Sequence, residues 1–298
     1  MGGIREGMTD GRACASARGG VSVVNALGCG FGSTMAVELR AESCALAMPS
    51  NDGQEELIRY LSLYMKALGA DVSFEVSSEI PPSQGLKSSS AVSVSALSAA
   101  LSLLDGPIET PSIPLQELLP LQLEPWELEL LSKSRYPPLL SALITKGVGL
   151  SVTGAIDDAV ASYHGGMSFT DNGHYATLSI REPPDDVSVL IFIMPYGRGN
   201  VRALRDYEEE FRRAFYKALG GDFYDAININ GRAVAMAMGY SIKLLKVALA
   251  KGALASGVSG NGPSMFALTR EGDEGPLIEV MQRFSLGMII TRPARVDD

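Results

Sequence analysis

Hydrophobic positions along the chain switch between two periods, and the switches outline an order of strands and helices. In "GGVSVVNALGCGFGSTMAVELR", residues 19–40, apolar and β-branched runs flank a glycine-punctuated turn, which predicts a hairpin with a roomy loop. "NDGQEELIRYLSLYMKALGA" places Leu57, Tyr60, Leu61, Tyr64 and Leu68 at helical spacing, with Asn51 or Asp52 as cap and Gly69 as stop. Val72, Phe74 and Val76 then alternate as in a half-buried strand. Beyond it, Val94, Leu97, Leu101 and Leu104 share one helical face. Ala91, Ser95, Ser98 and Ser102 share a small-residue face expected to pack against a neighbouring element.

Residues 106–140 hold seven of the 16 prolines among many leucines, so short helices broken by proline are expected. The apolar run "VSVLIFIMP" at 187–195 predicts a strand, and residues 201–219 and 225–250 predict helices. "SGVSGNGPSMFALT" reads as a glycine loop feeding a strand, and 274–285 as a helix before a final strand. No internal repeat interrupts this order. A chain of 298 residues exceeds what one hydrophobic core usually holds. The shift in pattern between about 165 and 185 therefore suggests two packed lobes, 1–175 and 176–298, of α+β class.

Composition narrows the function classes. With 46% hydrophobic and 20% charged residues, the chain is globular rather than disordered. Lys and Arg are outnumbered 25 to 34 by Asp and Glu, which disfavours a nucleic-acid surface and points to a small-molecule partner. No stretch is apolar and long enough for a membrane span or a signal peptide, so a cytoplasmic protein, monomer or homodimer, is expected. Cys14, Cys29 and Cys44 are odd in number and lack paired spacing, which predicts a reducing compartment and no disulfide framework or zinc site.

The chemistry concentrates in "IPPSQGLKSSSA", residues 80–91. Strand, glycine loop and helix N-terminus make an anion cradle, because the first helical amides lack partners and the helix dipole is positive there. Pro82, Ser83, Gln84, Gly85 and Leu86 would form the loop. Lys87 would add charge and Ser88, Ser89 and Ser90 hydroxyls, one of which, taken as Ser89, could also coordinate Mg²⁺. A helix capped by its own serines is the bland reading, yet three hydroxyls exceed what one cap needs. Gly-x-x-x-x-Gly-Lys-Ser/Thr occurs nowhere, which disfavours a Walker-type nucleotide fold.

The segment instead resembles the second motif of the GHMP kinase superfamily, with Ile80, Pro81, Ser83, Gly85, Leu86, Ser88, Ser89, Ser90 and Ala91 in pattern and Lys87 as the departure. "SGVSGNGPSMFAL", 256–268, is similar to the third motif through Ser259, Gly260, Gly262 and Pro263. "SVTGAIDDAVASYHGG", 151–166, is similar to the stretch that carries the family's catalytic aspartate. Alignment on Ala159-Val160 puts that role on Asp157, the position preferred here; counting back from Gly165-Gly166 puts it on Asp158. One acid of the pair could cap a helix while the other accepts the proton of an attacking hydroxyl.

The first motif's lysine and Gly-Glu-His turn are missing, which separates the chain from the sugar and mevalonate enzymes. "VVNALGCGFG", "GLKSSSA" and "TGAIDDA" together most resemble the archaeal-type shikimate kinases, with Phe31 where that branch often has lysine. The resemblance implies a two-lobed fold, a mixed-sheet N-terminal lobe and a ferredoxin-like C-terminal lobe. It implies ATP and Mg²⁺ bound by residues 82–91 with Gly260 and Gly262, and acceptor contacts from Asn25, Ser259 and Asn261. Phosphorylation of shikimate to shikimate 3-phosphate is the implied activity. A homoserine kinase, or a non-catalytic protein that binds an anionic metabolite, is the alternative.

Other candidates are weaker. His164 and His174 lack a third ligand at metal-binding spacing, and His164 reads as a turn residue. Arg198, Arg202 and Arg205 could clamp a carboxylate but precede the acidic "DYEEE" and read as a solvated face. Asn228, Asn230 and Arg232 could face a cleft and meet substrate hydroxyls.

Overall fold

The computed structural model of the chain describes residues 11–49, 55–104, 113–195, 197, 199–285 and 287–297. Asn51, Asp52 and Arg198 of the sequence reading lie outside them. The predicted hairpin is β1 (Arg12–Val24) and β2 (Phe31–Leu46), and its loop is one helical turn, α1 (Ala26–Cys29), capped by the Asn25 side chain on Leu27 N–H. The predicted helix and alternating strand follow as α2 (Glu56–Ala67) and β3 (Ser73–Ser78).

The serine-rich segment is α3 (Ser88–Leu103), buried around most of its girth. Small side chains permit that position: Ser95 Oγ lies 2.7 Å from Ser43 Oγ of β2, and Ser93 hydrogen-bonds Ser141. Ser102 breaks the expected packing stripe, because it is exposed near the helix end and donates back to Ser98 C=O at 2.8 Å. The proline-rich stretch gives α4 (Leu115–Leu118), α5 (Pro125–Lys133) and α6 (Pro137–Gly147), the latter two opening on proline, which has no amide hydrogen to waste there. Then come α7 (Ile156–His164), β4 (Met167–Asp171) and β5 (Ala176–Arg181).

The first sheet has the order β1-β2-β4-β5, with β3 also on β2. Long β2 uses one edge three times. Its start pairs with β4 and its end with β3. Between them Glu38 N–H and Ala36 C=O bond to Arg292 and Ala294 of the C-terminal segment. Ala294 C=O in turn accepts from Gly166 N–H, so the Gly165-Gly166 turn serves to seat that segment.

The second sheet contains β6 (Val187–Ile193), β7 (Ala255–Val258), β8 (Met265–Arg270) and β9 (Gly287–Thr291) in the order β7-β8-β6-β9. Its helices are α8 (Glu208–Leu219), α9 (Phe223–Met238), α10 (Ile242–Ala250) and α11 (Gly275–Met281). This is the split β-α-β of a ferredoxin-like lobe. The two-lobed α+β layout therefore stands, while the N-terminal sheet is antiparallel in all its pairings rather than mixed. The helix expected over 225–250 is two, divided where α9 caps on Gly239 in the left-handed region. The helix expected from 201 begins as a 3-10 turn, Val201–Tyr207. One continuous apolar core, including Val21, Leu97, Leu143, Phe192, Phe211 and Phe266, joins the two sheets.

Cys14 and Cys44 sit opposite one another in the β1–β2 register and form a disulfide, leaving Cys29 free. This corrects the expectation of unpaired cysteines. A separation of 30 residues carries no local signal, and only the register of the hairpin brings the two together.

Candidate functional site

A cavity of about 340 Å³ opens between the N-terminus of α3, the loop before α7, the end of β1 and the 259–262 loop. Three turns of sequence build it. Ile80 is buried and ends the exit from β3; Gly85 (φ +77°) and Lys87 (φ +67°) then turn the chain so that α3 starts at Ser88. Lys87 is the N-cap without a side-chain cap bond, so the amides of the first turn and the hydroxyls of Ser88, Ser89 and Ser90 remain for a ligand. Gly85 is required by contact as well as by angle, because a Cβ there would lie 2.1 Å from Ser259 C=O.

The C-terminal glycine loop locks onto this turn from the far end of the sequence. Ser259 Oγ donates to Gly85 C=O at 2.8 Å, and Ser264 Oγ to Gln84 Oε1 at 3.0 Å. Asn25 Nδ2 donates to Gly260 C=O (3.0 Å) and Asn261 Oδ1 (2.9 Å), while Asn25 N–H donates to Asn230 Oδ1. Of the sequence candidates, Ser83, Gly85, Leu86, Lys87, the three serines, Gly260, Asn261, Gly262, Asn25, Asp157 and Asp158 all reach the cavity wall. Pro82, Gln84, Ala91 and Ser259 stand outside the lining: Pro82 is exposed, Gln84 holds Ser264, Ala91 is buried and Ser259 braces Gly85.

On the opposite wall the two acids separate by one helical step. Asp158 Oδ1 is 2.8 Å from Lys87 Nζ and accepts from Thr34 Oγ1 at 2.6 Å. Asp157 is 4% exposed, and its Oδ1 accepts from Asn172 Nδ2 at 2.8 Å. Its carboxyl lies against Gly32, where a Cβ would come within 2.5 Å of Asp157 Cγ. Burial and the neighbouring Asp158 charge push Asp157 up to about 7, although Lys87, Asn172 and Thr34 pull the other way. Thr34 has one hydroxyl hydrogen and 3.2 Å to Asp157 Oδ2 besides its shorter contact with Asp158. When Asp157 is protonated it donates to Thr34, and Thr34 donates to Asp158. The pair is thus a deeply buried carboxyl, Asp157, beside a second one, Asp158, that Lys87 holds at the cavity wall.

Ser22, Thr34, Thr145 and Asn172 were missed by the sequence reading. Ser22 is a single polar residue in an apolar run, Thr34 and Thr145 each adjoin another polar residue, and Asn172 lies in a polar turn; none belongs to a motif, and only strand register and helix packing bring them together. Asn228 and Asn230 accept backbone amides of Ser256 and Asn25, and Arg232 is exposed, so these three do not line the cavity. Arg202 and Arg205 are exposed beside Val201, a lining residue. His164 lies in α7, where its Nε2 is 2.8 Å from the Tyr136 hydroxyl, away from the cavity.

Among the described residues no three His, Cys, Asp or Glu side chains gather to hold a metal. The serine-rich wall instead fits a hard cation that arrives with phosphate oxygens.

Comparison with known proteins agrees with this geometry. Residues 55–166 match the GHMP kinases N terminal domain and residues 211–284 the GHMP kinases C terminal domain. The chain is 31% identical to a shikimate kinase of Methanothermobacter thermautotrophicus, over 92% of each protein. It is 32% identical to one of Thermococcus kodakarensis, over 94% of this chain and 99% of the other. Among solved structures, homoserine kinase from Cytophaga hutchinsonii superposes with a TM-score of 0.63 at 15% identity, covering 98% of both chains. Mevalonate kinase from Methanococcus jannaschii does so with 0.63 at 13%, covering 96% and 99%. With both domains matched in order and relatives alike over nearly the whole length, the chain belongs to the GHMP kinase family and is a small-molecule kinase.

Proposed function

We propose that the chain transfers the γ-phosphoryl of ATP to a hydroxyl of shikimate, giving shikimate 3-phosphate. The observation that carries this reading is the pairing of Asp158 with Lys87 directly across the α3 N-terminus, a carboxylate and an anion cradle in one cavity. Support for this substrate comes from the relatives named shikimate kinase, which are similar to this chain over more than nine-tenths of its length.

The amides of the first α3 turn and the hydroxyls of Ser88 to Ser90 bind phosphate oxygens, and the Gly260–Gly262 backbone closes over them. Mg²⁺, bound with the nucleotide, would neutralise phosphate charge, with the Ser89 hydroxyl as its protein ligand. Asp158 accepts the hydrogen of the attacking hydroxyl and takes its proton as the new P–O bond forms. Lys87 holds Asp158 in place. Asp157, the more buried of the two, shares the Thr34 hydroxyl with Asp158 and orients it. Asn261 reaches the cavity beside Asn25, whose two amide hydrogens are already engaged, so Asn25 shapes the acceptor side by latching the loop.

The alternative acceptor, homoserine, has support only from likeness of fold. Nucleotide binding tests the cradle directly. Wild type is expected to bind ATP more tightly with Mg²⁺ than without it. No ATP binding under either condition would end the kinase reading and leave a protein that binds some other anion.

A further inference from the structure

Ser22 has a place in the cavity that none of the motifs assigns. It stands near the end of β1, is 1% exposed, and lines the cavity between the two glycine loops. Its Oγ lies 2.7 Å from Lys87 Nζ and 2.9 Å from Gly260 N. An ammonium and a backbone amide can only donate, so Ser22 accepts from both and its two lone pairs are occupied. The hydroxyl hydrogen is then the one polar group of Ser22 left over. Two cationic or partly positive donors on one oxygen also polarise its O–H and make it a stronger donor.

We propose that Ser22 is a catalytic residue that gives this hydrogen bond to a non-bridging oxygen of the phosphoryl group during transfer. The proposal rests on the kinase reading above. Ser22 stays protonated throughout: the P–O bond to ADP breaks, the P–O bond to the acceptor forms, and the acceptor proton goes to Asp158. The hydroxyl contributes only where negative charge is redistributed on the transferred group, and its two partners are themselves anion-facing elements, the α3 N-cap and the closing loop. A purely structural Ser22, bracing Lys87 against Gly260, would act on nucleotide binding and folding instead.

The test compares wild type, Ser22→Ala and Ser22→Thr in kcat, KM for ATP, and affinity for MgADP with and without aluminium fluoride, a mimic of the transferring group. Ser22→Ala is expected to lose about 100-fold in kcat and a similar factor in affinity for the fluoride complex. MgADP affinity and KM for ATP should stay within about threefold, and Ser22→Thr should recover most of the loss. The proposal is overturned if Ser22→Ala keeps kcat, if it raises KM alone, or if the fluoride complex binds as before. Should Ser22→Ala not accumulate folded, Ser22→Cys replaces it, with a similar shape and a weak donor. Wild-type kcat retained by the cysteine variant also overturns the proposal. A wild type that shows no acceptor-dependent ADP formation would fail the kinase reading itself and take this proposal with it.

Discussion

Asp157 and Asp158 are adjacent and both line the cavity, yet consecutive positions on a helix point about 100° apart, so Asp157 is held by Asn172 and Asp158 by Lys87. The acid pair was legible in the sequence. The rotation of α7 that gives each acid its partners was not, because it is set by Gly32, Thr34 and Asn172 on other elements. Asp158→Asn is expected to lower kcat by about 10²–10⁴-fold while ATP affinity changes little, as measured by steady-state kinetics and calorimetry. Asp157→Asn should cost less in kcat. Its signature is stability. Asp157 is raised from the ordinary carboxylate range to about 7, so between about pH 4 and 7 the folded state holds more protons than the unfolded one. Stability from this group is complete below the unfolded pKa and is lost as pH rises through 7. Asp157→Asn is therefore predicted to raise the melting temperature relative to wild type at pH 8 and to leave it nearly equal at pH 4. A larger gain at pH 4 than at pH 8 would contradict the assignment.

The element that does most of the positioning is α3, whose small residues let it sit against β1, β2, α6 and α7 at once. Leu97 is 0% exposed at its centre, and Leu97→Ala is expected to cost roughly 2–5 kcal/mol in urea unfolding. Gly85→Ala tests the turn before the helix. It adds a left-handed alanine, and its Cβ would displace Ser259, so ATP affinity should fall by at least about tenfold with a lowered melting temperature. Both glycine loops, α3, the β1–β2 hairpin, β3, β6, β8 and β9 were legible because their signals are local: periodicity, caps and turn residues; β4, β5 and β7 are short and were not predicted. The Cys14–Cys44 bond depends on register between strands and left no such mark. The division of 225–250 at Gly239 was hidden by apolar residues that continue past it, so periodicity alone ran the two helices together.

Across the whole molecule, the site is a closure between distant parts of the chain. Asn25, 235 residues before Gly260, holds the C-terminal loop through its side chain and is itself held by Asn230. The second lobe thus completes a cavity whose cradle and carboxylates belong to the first. Asn25→Ala is expected to raise KM for ATP by about tenfold with a smaller effect on kcat, because it frees the loop without touching Asp158. It also removes the α1 cap, costing about 1 kcal/mol of stability. The central claim concerns the acceptor, and ADP release by wild type with MgATP and either shikimate, homoserine or no acceptor addresses it most directly. The account predicts ADP formation that depends on shikimate, with shikimate 3-phosphate as the product and homoserine near the background rate. Homoserine-dependent turnover with none on shikimate would contradict it.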